Sequence, residues 1–342
     1  MVLIIFSTFI FILTIGLWLN RKPKRYKDRR YSVVIACRNE ENNLSDLLKS
    51  IENIEYDKRE HEVIFVDDNS SDRSFEILQE FCLKNAQYHL LRTDFPKTGK
   101  KQALSKGISF AQYEYVLLTD ADCQLPKNYF SEINTWIDKD VSKEADMLIG
   151  YSPEMKNNLF RRFTYLITAS MYACTTGLRM PFSCTGRHLV IKKRAFTELG
   201  GYKGIEHLKS GDDKLLLNKF YKAGKRISYI YSPQIETKTV DKKTRKQQDL
   251  RRYGKFGMSR LFFQVLSLLV AVFYLYLPYD IIINHNYLKG LLYFICALMY
   301  VFSSVFLHRE EFRVTYILFI LYYPYFLIYK SVKGFAGKWT WK

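Results

Sequence analysis

The chain has 342 residues, enough for one sizeable domain with further segments attached. Its net charge of +18 suits an anionic partner, but no zinc finger, aromatic RNA-binding motif or basic heptad helix accompanies it, which disfavours nucleic acid. Hydrophobic residues make up 48% of the chain, with 26 tyrosines and 25 phenylalanines, so a surface that faces a membrane explains the charge better. The six scattered cysteines predict reduced, mostly buried thiols.

The first predicted element is an apolar segment over residues 2–19, which is just long enough to span a bilayer. Basic residues follow this segment between Arg21 and Arg30 instead of preceding it, which disfavours a cleaved signal peptide. By the positive-inside rule, the chain that follows stays in the cytoplasm. We therefore predict an uncleaved N-terminal transmembrane anchor over residues 1–20.

Strands and helices then alternate, which is typical of an α/β domain with a mostly parallel sheet. Strands are predicted over residues 31–37, 62–66, 88–92 and 115–119, and later over 189–191. Helices are predicted after the N-cap Asn39 with Leu44, Leu47, Leu48 and Ile51 on the apolar face, around Phe75, Leu78 and Cys82, over 99–110, around 160–171, from Arg194 to Gly200, and over 212–223 up to Gly224.

Two carboxylates, Asp120 and Asp122, follow the apolar strand 115–119. Ligands of open α/β sheets bind beyond the carboxyl ends of the strands, where such a pair would be useful. Two hard oxygen ligands there could hold Mg²⁺ or Mn²⁺ against a diphosphate. The alternative is that aspartates after a strand only form a turn.

Beyond Thr237 a basic interfacial segment, residues 238–257, leads into apolar stretches at 261–279, 288–307 and 314–329. The first two are long enough to span a bilayer. The third contains Pro324, and three full crossings would place the lysines that follow it outside, against the positive-inside tendency. The region 261–330 is therefore predicted to hold two or three membrane segments.

Seven motifs occur in order: Val-Ile-Ala-Cys-Arg-Asn-Glu-Glu at 34–41, Val-Asp-Asp-Asn-Ser-Ser-Asp at 66–72, Thr-Gly-Lys-Lys-Gln-Ala-Leu-Ser-Lys-Gly at 98–107, Asp-Ala-Asp at 120–122, Gly-Arg-His at 186–188, Gly-Asp-Asp at 211–213 and Gln-Asp-Leu-Arg at 248–251. Together they resemble the membrane-bound branch of the family 2 glycosyltransferases with a GT-A fold. The resemblance covers residues 31–257. It implies a Rossmann-like, mostly parallel α/β catalytic domain between N- and C-terminal transmembrane helices.

The resemblance also implies a site for a nucleotide-diphosphate sugar. The predicted contacts to the nucleotide sugar are Ala36, Arg38, Glu40, Asp67, Lys100, Asp120, Gln248, Arg251 and Arg252. Asp67 would accept from a uracil or ribose donor, and Lys100, or Lys101 beside it, would lie near the phosphates. Asp122 would coordinate Mg²⁺ or Mn²⁺ directly, with Asp120 shared between metal and ribose, so that the cation offsets charge on the leaving diphosphate.

On the acceptor side, Asp213 matches the family's catalytic base, which takes the proton of the attacking hydroxyl. Asp212 would cap the helix or modulate the acidity of its neighbour, and capping is the structural alternative for both. Arg252 stands where the family carries tryptophan, which disfavours processive synthesis; Arg251 and Arg252 also suit a basic helix that binds anionic lipid.

Three further polar residues have structural alternatives. Asp68 and Asp72 are typical turn and N-cap residues. His188 either contacts donor or acceptor or is a structural histidine.

We therefore predict an inverting, metal-dependent hexosyltransferase, multi-pass in the cell membrane, with its catalytic domain on the cytoplasmic face. It would transfer a sugar from a nucleotide-diphosphate sugar, with a UDP-sugar favoured, to a hydroxyl of a membrane lipid or lipid-linked glycan. The alternatives are a polysaccharide or polyprenyl-phosphate sugar synthase and an inactive glycosyltransferase-like membrane assembly subunit. Retention of Asp67, Asp120, Asp122 and Asp213 disfavours the inactive subunit.

Overall fold

The computed structural model describes residues 1–20, 22–57, 59–96, 98–138, 140–152, 158–208, 211–232, 238–239 and 260–336. These residues divide into two compact units. The sheet unit contains the described parts of residues 20–155 and 183–241, and the helical unit contains those of residues 1–19, 156–182 and 242–342. Residues 156–182 thus group with the helical unit, although they lie within the range of the catalytic domain drawn from the sequence.

The secondary structure alternates through the sheet unit and is helical elsewhere. The strands are β1 (Tyr31–Cys37), β2 (His61–Asp67), β3 (Tyr88–Arg92), β4 (Tyr115–Asp120), β5 (Cys123–Gln124), β6 (Met147–Gly150), β7 (Leu189–Lys192), β8 (Ile227–Ile230) and β9 (Lys238–Thr239). The helices are α1 (Val2–Trp18), α2 (Glu41–Glu52), α3 (Ser74–Cys82), α4 (Lys100–Phe110), α5 (Tyr129–Asn134), α6 (Leu159–Gly177), α7 (Lys193–Glu198), α8 (Asp212–Lys222), α9 (Leu261–Ile282), α10 (Tyr287–Leu307) and α11 (Thr315–Ala336). A short 3₁₀ helix covers Val141–Lys143.

Among the described residues, seven strands form one sheet in the order β3-β2-β1-β4-β7-β6-β8, and β5 pairs with β9. The pairs β1 with β2, β1 with β4, β2 with β3 and β6 with β8 are parallel. Strand β7 runs antiparallel between β4 and β6. The predicted α/β fold with a mostly parallel sheet is confirmed, and the carboxyl ends of β1, β2 and β4 meet at one edge.

The helices of the sheet unit bury one apolar face each. In α2 the buried residues are Leu44, Leu47, Leu48 and Ile51, as their helical spacing predicts. In α3 the prediction is partly wrong, because Leu78 and Phe81 are buried while Phe75 and Cys82 are only partly covered. The side chain of Phe81 packs edge-to-face on Phe65 of β2 and stacks on Tyr88 of β3. The buried face of the helix therefore includes Phe81 instead of the predicted Cys82.

The helical unit contains two helices, α9 and α10, that are long and apolar enough to cross a membrane. Within the described range, α1 is apolar but shorter, with 17 residues, and α11, which contains Pro324, does not meet the same test. Helix α1 packs closely on α6, since a Cβ at Gly16 would lie 2.6 Å from the Cys174 carbonyl oxygen. An ion pair between Arg162 of α6 and Glu310, beyond α10, adds a charged contact inside this unit.

Candidate active site

The loops that follow β1 and β2 are hydrogen-bonded to each other. The Asn39 side-chain oxygen accepts from the Ser71 amide at 2.8 Å, and the Glu40 amide donates to Ser74 Oγ at 2.8 Å. Helix α2 begins at Glu41 with Glu40 as its N-cap, so the predicted N-cap Asn39 is wrong by one residue. Asn39 has φ 54°, a left-handed conformation that asparagine tolerates better than most residues. The two loops therefore form one continuous wall at the carboxyl edge.

Asp72 joins two helix starts, which favours the capping role over a contact to substrate. Its Oδ1 accepts from the Ser74 amide at 3.0 Å, and its Oδ2 accepts from the Glu41 amide at 3.3 Å. Partial burial raises the pKa of the Asp72 carboxyl, but the hydrogen bonds from Ser74 and Glu41 outweigh it, so that the pKa lies below the usual value.

Asp67 is fully buried at the end of β2. Its Oδ2 accepts from Arg92 Nε at 2.9 Å, and both of its oxygens lie 3.3 Å from the Ser70 amide. The Arg92 guanidinium also lies over the ring of Phe75, 4.2 Å from its centroid, and remains half exposed. The exposed member of the pair is therefore Arg92, a residue that the sequence analysis missed. Its only indication in the sequence was its place at the end of a predicted strand, as Asp67 ends the strand before it.

Asp68 holds the turn that precedes α4. Both of its carboxylate oxygens accept from the Gly99 amide, at 2.8 and 3.0 Å, and Thr93 Oγ1 donates to it at 2.9 Å. Gly99 has φ 110°, which only glycine adopts without strain. The exposed Arg38 guanidinium lies 3.5 Å from the same carboxylate. Asp68 thus fixes where α4 begins, and with it the position of Lys100.

Lys100 lies between two carboxylates from different parts of the chain. Its Nζ is 2.6 Å from Asp120 Oδ1 and 3.1 Å from Asp212 Oδ2. Burial lowers the pKa of the Lys100 ammonium, but the charges of Asp120 and Asp212 outweigh this and hold the pKa well above its usual value. The structure therefore joins three predicted site residues around one permanent positive charge, at the carboxyl end of β4.

Asp213 lies in the first turn of α8, next to Asp212. Its Oδ2 accepts from the Gly186 amide at 3.3 Å, and its Oδ1 accepts from the Lys214 amide at 2.7 Å. A Cβ placed on Gly186 would lie 3.5 Å from Asp212 Oδ2 and 3.7 Å from Lys100 Nζ. The Gly-Arg-His and Gly-Asp-Asp motifs, distant in sequence, thus meet at the group of Lys100, Asp120 and Asp212, which we call the Lys100 cluster. The amides of Gly186 and Lys214 together hold the Asp213 carboxylate in a fixed orientation.

The residues at the end of β4 fit a divalent cation that is shared with a substrate. No group of three or more His, Cys, Asp or Glu side chains suited to a metal occurs in the part of the chain that the structure describes. Mg²⁺ in diphosphate sites usually takes only one or two carboxylates from the protein, with substrate phosphates completing its ligands. The partly exposed Asp120 and Asp122 supply such a pair, and Lys100 at 2.6 Å shows that Asp120 attracts a cation.

The remaining predicted contacts are placed as follows. Ala36 lies in β1 directly beside Asp120 of β4, and Glu40 accepts from the Asn43 side-chain amide. Gln248, Arg251 and Arg252 lie outside the described residues. Lys101 is buried and its ammonium donates to the Leu208 carbonyl, which disfavours Lys101 as a phosphate contact.

His188 is fully buried, which favours its structural alternative. Its Nδ1 lies 3.0 Å from the Tyr151 carbonyl oxygen, and its ring occupies the space above Gly150, where a Cβ would lie 2.2 Å from Nδ1. Burial lowers the pKa of the His188 imidazole to about 4, and the hydrogen bond to the Tyr151 carbonyl only partly offsets this. The ring is therefore neutral at physiological pH and fills the layer behind the site.

Two family descriptions match the chain. Glycosyl transferase family 2 matches residues 32–194. Glycosyl transferase family group 2 matches residues 115–329, more than half of the chain. The two matches together include the loops after β1, β2 and β4 and the start of α8.

Curated relatives match a limited part of the chain. Poly-beta-1,6-N-acetyl-D-glucosamine synthase from Staphylococcus epidermidis is 41% identical over 91 residues, which are 27% of this chain and 21% of that protein. Beta-monoglucosyldiacylglycerol synthase from Trichormus variabilis is 35% identical over 95 residues, 28% of this chain and 20% of that protein. The chain therefore matches about a fifth of the length of these relatives.

A solved structure matches the whole chain. The mannosyltransferase PcManGT from Pyrobaculum calidifontis, in complex with GDP-Man and Mn²⁺, superimposes with a TM-score of 0.61 over 98% of both chains at 15% identity. At this identity the likeness shows the fold, which is GT-A. Because the family match extends over more than half of the sequence, the chain belongs to the glycosyl transferase family 2 group.

Proposed function

We propose that this protein is an inverting glycosyltransferase that uses a nucleotide-diphosphate sugar, with a UDP-sugar favoured. The observation that carries the proposal is the position of Lys100 between Asp120 and Asp212, next to Gly186, whose amide donates to Asp213. An ammonium group that is about a third exposed and paired with two carboxylates can exchange one of these partners for a diphosphate. An inactive assembly subunit has no need for this arrangement.

The reaction follows from the two sides of the Lys100 cluster. On the donor side, Lys100 binds the diphosphate and balances the charge that grows on it as the bond to the sugar C1 breaks. A divalent cation held by Asp122 and Asp120 would supply further charge stabilisation to the same leaving group. On the acceptor side, the Asp213 carboxylate takes the proton of the hydroxyl whose oxygen bonds to C1 from the opposite face. The bonding electron pair leaves with the diphosphate.

The acceptor is proposed to be a membrane lipid or lipid-linked glycan. Two helices long and apolar enough to cross a membrane, α9 and α10, support a membrane location, with the sheet unit on the cytoplasmic face. The Trichormus variabilis relative, which is named for a glucosylated diacylglycerol, makes a lipid hydroxyl a plausible acceptor class. The protein would then carry its active site to the surface where its acceptor resides.

A polysaccharide synthase is the second candidate. The match to the Staphylococcus epidermidis poly-beta-1,6-N-acetyl-D-glucosamine synthase favours it. Arg252, in place of the tryptophan of the Gln-x-x-Arg-Trp motif, argues against stacking on a growing sugar chain. The product distinguishes the two candidates, since one is a single-sugar lipid and the other a polymer; a sugar monophosphate lipid would instead indicate a polyprenyl-phosphate sugar synthase.

The test is nucleotide release from a panel of UDP- and GDP-sugars by the purified full chain in lipid, with Mg²⁺ or Mn²⁺. We expect slow, metal-dependent release from one donor, lost in Asp122→Ala and in Asp213→Asn. Asp140→Asn is the matched control, because Asp140 is exposed and caps only the short 3₁₀ helix. Absence of release and of saturable nucleotide binding, with every donor and both metals, would contradict the proposal.

A further inference from the structure

The two adjacent lysines at the start of α4 point to different places. Lys100 is about a third exposed and contacts Asp120 and Asp212. Lys101 is only 6% exposed, and its ammonium donates to the Leu208 carbonyl oxygen. Burial of an ammonium group is costly unless it is well paired, so a buried lysine at this position needs a specific reason.

The partner of Lys101 lies in a segment that we call the 201–208 loop. Lys101 holds its last residue, Leu208, while Lys219 of α8 holds its start by donating to the carbonyls of Gly201 at 2.6 Å and Lys203 at 3.0 Å. Gly201 has φ 53°, and a Cβ there would lie 2.7 Å from the ring of Phe196. Two ammonium groups from two helices therefore hold opposite ends of one short loop.

The 201–208 loop carries one buried aromatic side chain. Tyr202 is 3% exposed and packs edge-to-face on Phe196, with ring centroids 5.5 Å apart. Burial, and then the charge of Asp212, raise the pKa of the Tyr202 phenol. The same loop precedes Gly211, whose carbonyl accepts the first helical hydrogen bond of α8 from Leu215. Through the bonds from Lys219, the loop is also tied directly to α8, the helix that carries Asp213 in its first turn.

We propose that Lys101 is a positioning residue for the acceptor half of the reaction: it fixes the 201–208 loop, and through it Tyr202 and Asp213, while Lys100 serves the donor half. This inference rests on the proposed function. Two neighbouring lysines in the first turn of α4 then have separate roles: Lys100 binds the donor, and Lys101 positions the group that removes the acceptor proton. A displacement of the loop would misplace the base without disturbing the diphosphate site.

The test compares Lys101→Met with Lys106→Met in the full chain in lipid. Methionine keeps the length of the side chain and removes its charge, and Lys106 lies on the same helix but pairs only with the exposed Asp94. For Lys101→Met, we expect kcat for release of UDP from the active UDP-sugar, with water as acceptor, to fall about 10- to 100-fold, as for a misplaced catalytic group. The donor KM and the affinity for UDP should stay within twofold. Lys106→Met should match the wild type.

A second measurement follows the loop itself. Hydrogen exchange of the peptide that contains residues 201–208 should be faster in Lys101→Met, and trypsin should cleave sooner after the exposed Lys203. Lys219→Met frees the other end of the loop and should give the same split between kcat and KM, which covers the case in which Lys101→Met does not fold. Lys101→Arg should restore part of kcat, because a guanidinium can reach the same carbonyl.

The outcomes separate this inference from the function on which it rests. If the wild type releases no nucleotide, the proposed function is wrong and this inference is withdrawn with it. If the wild type is active but Lys101→Met and Lys219→Met keep its kcat, or lose donor affinity as much as kcat, Lys101 has only a general structural role. That result overturns the inference and leaves the proposed function intact.

Discussion

Two ion-pair clusters lie at opposite ends of the same strand and are built in inverse ways. At the start of β4, the amino-edge cluster has one carboxylate, Glu144, that contacts Arg29, Lys192 at 2.7 Å and the Tyr115 hydroxyl at 2.9 Å. At the end of β4, the carboxyl-edge cluster has one ammonium, Lys100, between Asp120 and Asp212. The first surrounds an anion with cations, and the second surrounds a cation with anions.

The clusters differ in exposure, and this difference separates a structural from a functional use of charge. The side chain of Glu144 is 5% exposed, whereas those of Lys100 and Asp120 are 32% and 31% exposed. A cavity of about 600 Å³ borders the amino-edge cluster, but nearby charges on it are already paired, as Glu198 is with Lys225 and Arg194. The carboxyl-edge cluster leaves its charges accessible, so a ligand can replace a partner there.

The largest effect on stability is expected at the amino edge. Glu144→Gln should lower the free energy of unfolding by ~3–5 kcal/mol, because it removes the buried anion that two partly buried cations share. Glu60→Gln is the control, since Glu60 pairs with the exposed Arg30 and such surface pairs contribute about 0–1 kcal/mol. Chemical denaturation of the purified protein measures both. Equal effects would mean that the burial of Glu144 has no energetic consequence.

The largest effect on activity is expected at the carboxyl edge. Lys100→Met should lower kcat/KM for the donor by about 10²–10³, the usual loss when one group that stabilises a developing anion is removed. Its free energy of unfolding should change far less than that of Glu144→Gln, because Asp120, the nearer of the two carboxylates that remain, is 31% exposed and can be hydrated. Steady-state release of nucleotide and denaturation test the two halves. A loss of stability as large as that of Glu144→Gln would make Lys100 a structural residue.

A smaller effect on stability is expected at Gly150, which packs against the buried His188 ring behind the carboxyl-edge cluster. Gly150→Ala should cost about 1–3 kcal/mol of stability, because its Cβ would lie 2.2 Å from the buried His188 ring, as in other overpacked cores. Gly186→Ala is the matched change in the open layer, where a Cβ would lie at ordinary contact distances. It should leave stability unchanged and lower activity, because the added methyl occupies space beside Asp212, Asp213 and Lys100 that a substrate would need. Thermal unfolding of both variants, compared with their activity, checks this.

The last effect concerns pH and is negligible above about pH 6.5. Burial lowers the pKa of folded His188 to about 4, whereas an unfolded histidine titrates near 6.5. The unfolded chain therefore binds the extra proton first, so stability is full above about pH 6.5 and falls toward pH 4, by up to about 1.4 kcal/mol for each pH unit. Lys100, whose pKa is raised, keeps its charge throughout this window. His188→Gln should flatten the dependence, and parallel curves for the two proteins would exclude His188 as its cause.

The fold could be predicted from the sequence where the strands are long and apolar. Strands β1, β2 and β4 and the periodic face of α2 are predicted from their own residues, and their parallel order follows from the alternation with helices. Strands β6 and β8 were missed, since four residues each give no usable periodicity; β7, equally short, was predicted only from its apolar run 189–191. Their pairing partners, which make them strands, come from distant parts of the chain.

For the site, the motifs identified the residues but not their contacts. The assigned roles of Asp120, Asp122, Asp212 and Asp213 stay predictions, while the structure shows that Lys100 joins Asp120 to Asp212. The destination of Lys101 could not be predicted, since nothing local distinguishes a lysine that donates to a carbonyl 107 positions away from a solvated one. Arg92 was missed for the same reason: its importance comes only from the buried Asp67 beside it.

Helix α6 has a consequence for the order in which the protein is made. It lies between β6 and β7 in the chain, yet it packs against α1 and α10, with Gly16 pressed onto the Cys174 carbonyl. On the ribosome, α1 is therefore synthesised long before its partners α6 and α10. Helix α6 is in turn synthesised before α10. A fragment cut to residues 31–257 would carry α6 without both neighbours and expose its apolar face to water. The protein should be produced as a full-length chain, because its catalytic half cannot be excised cleanly.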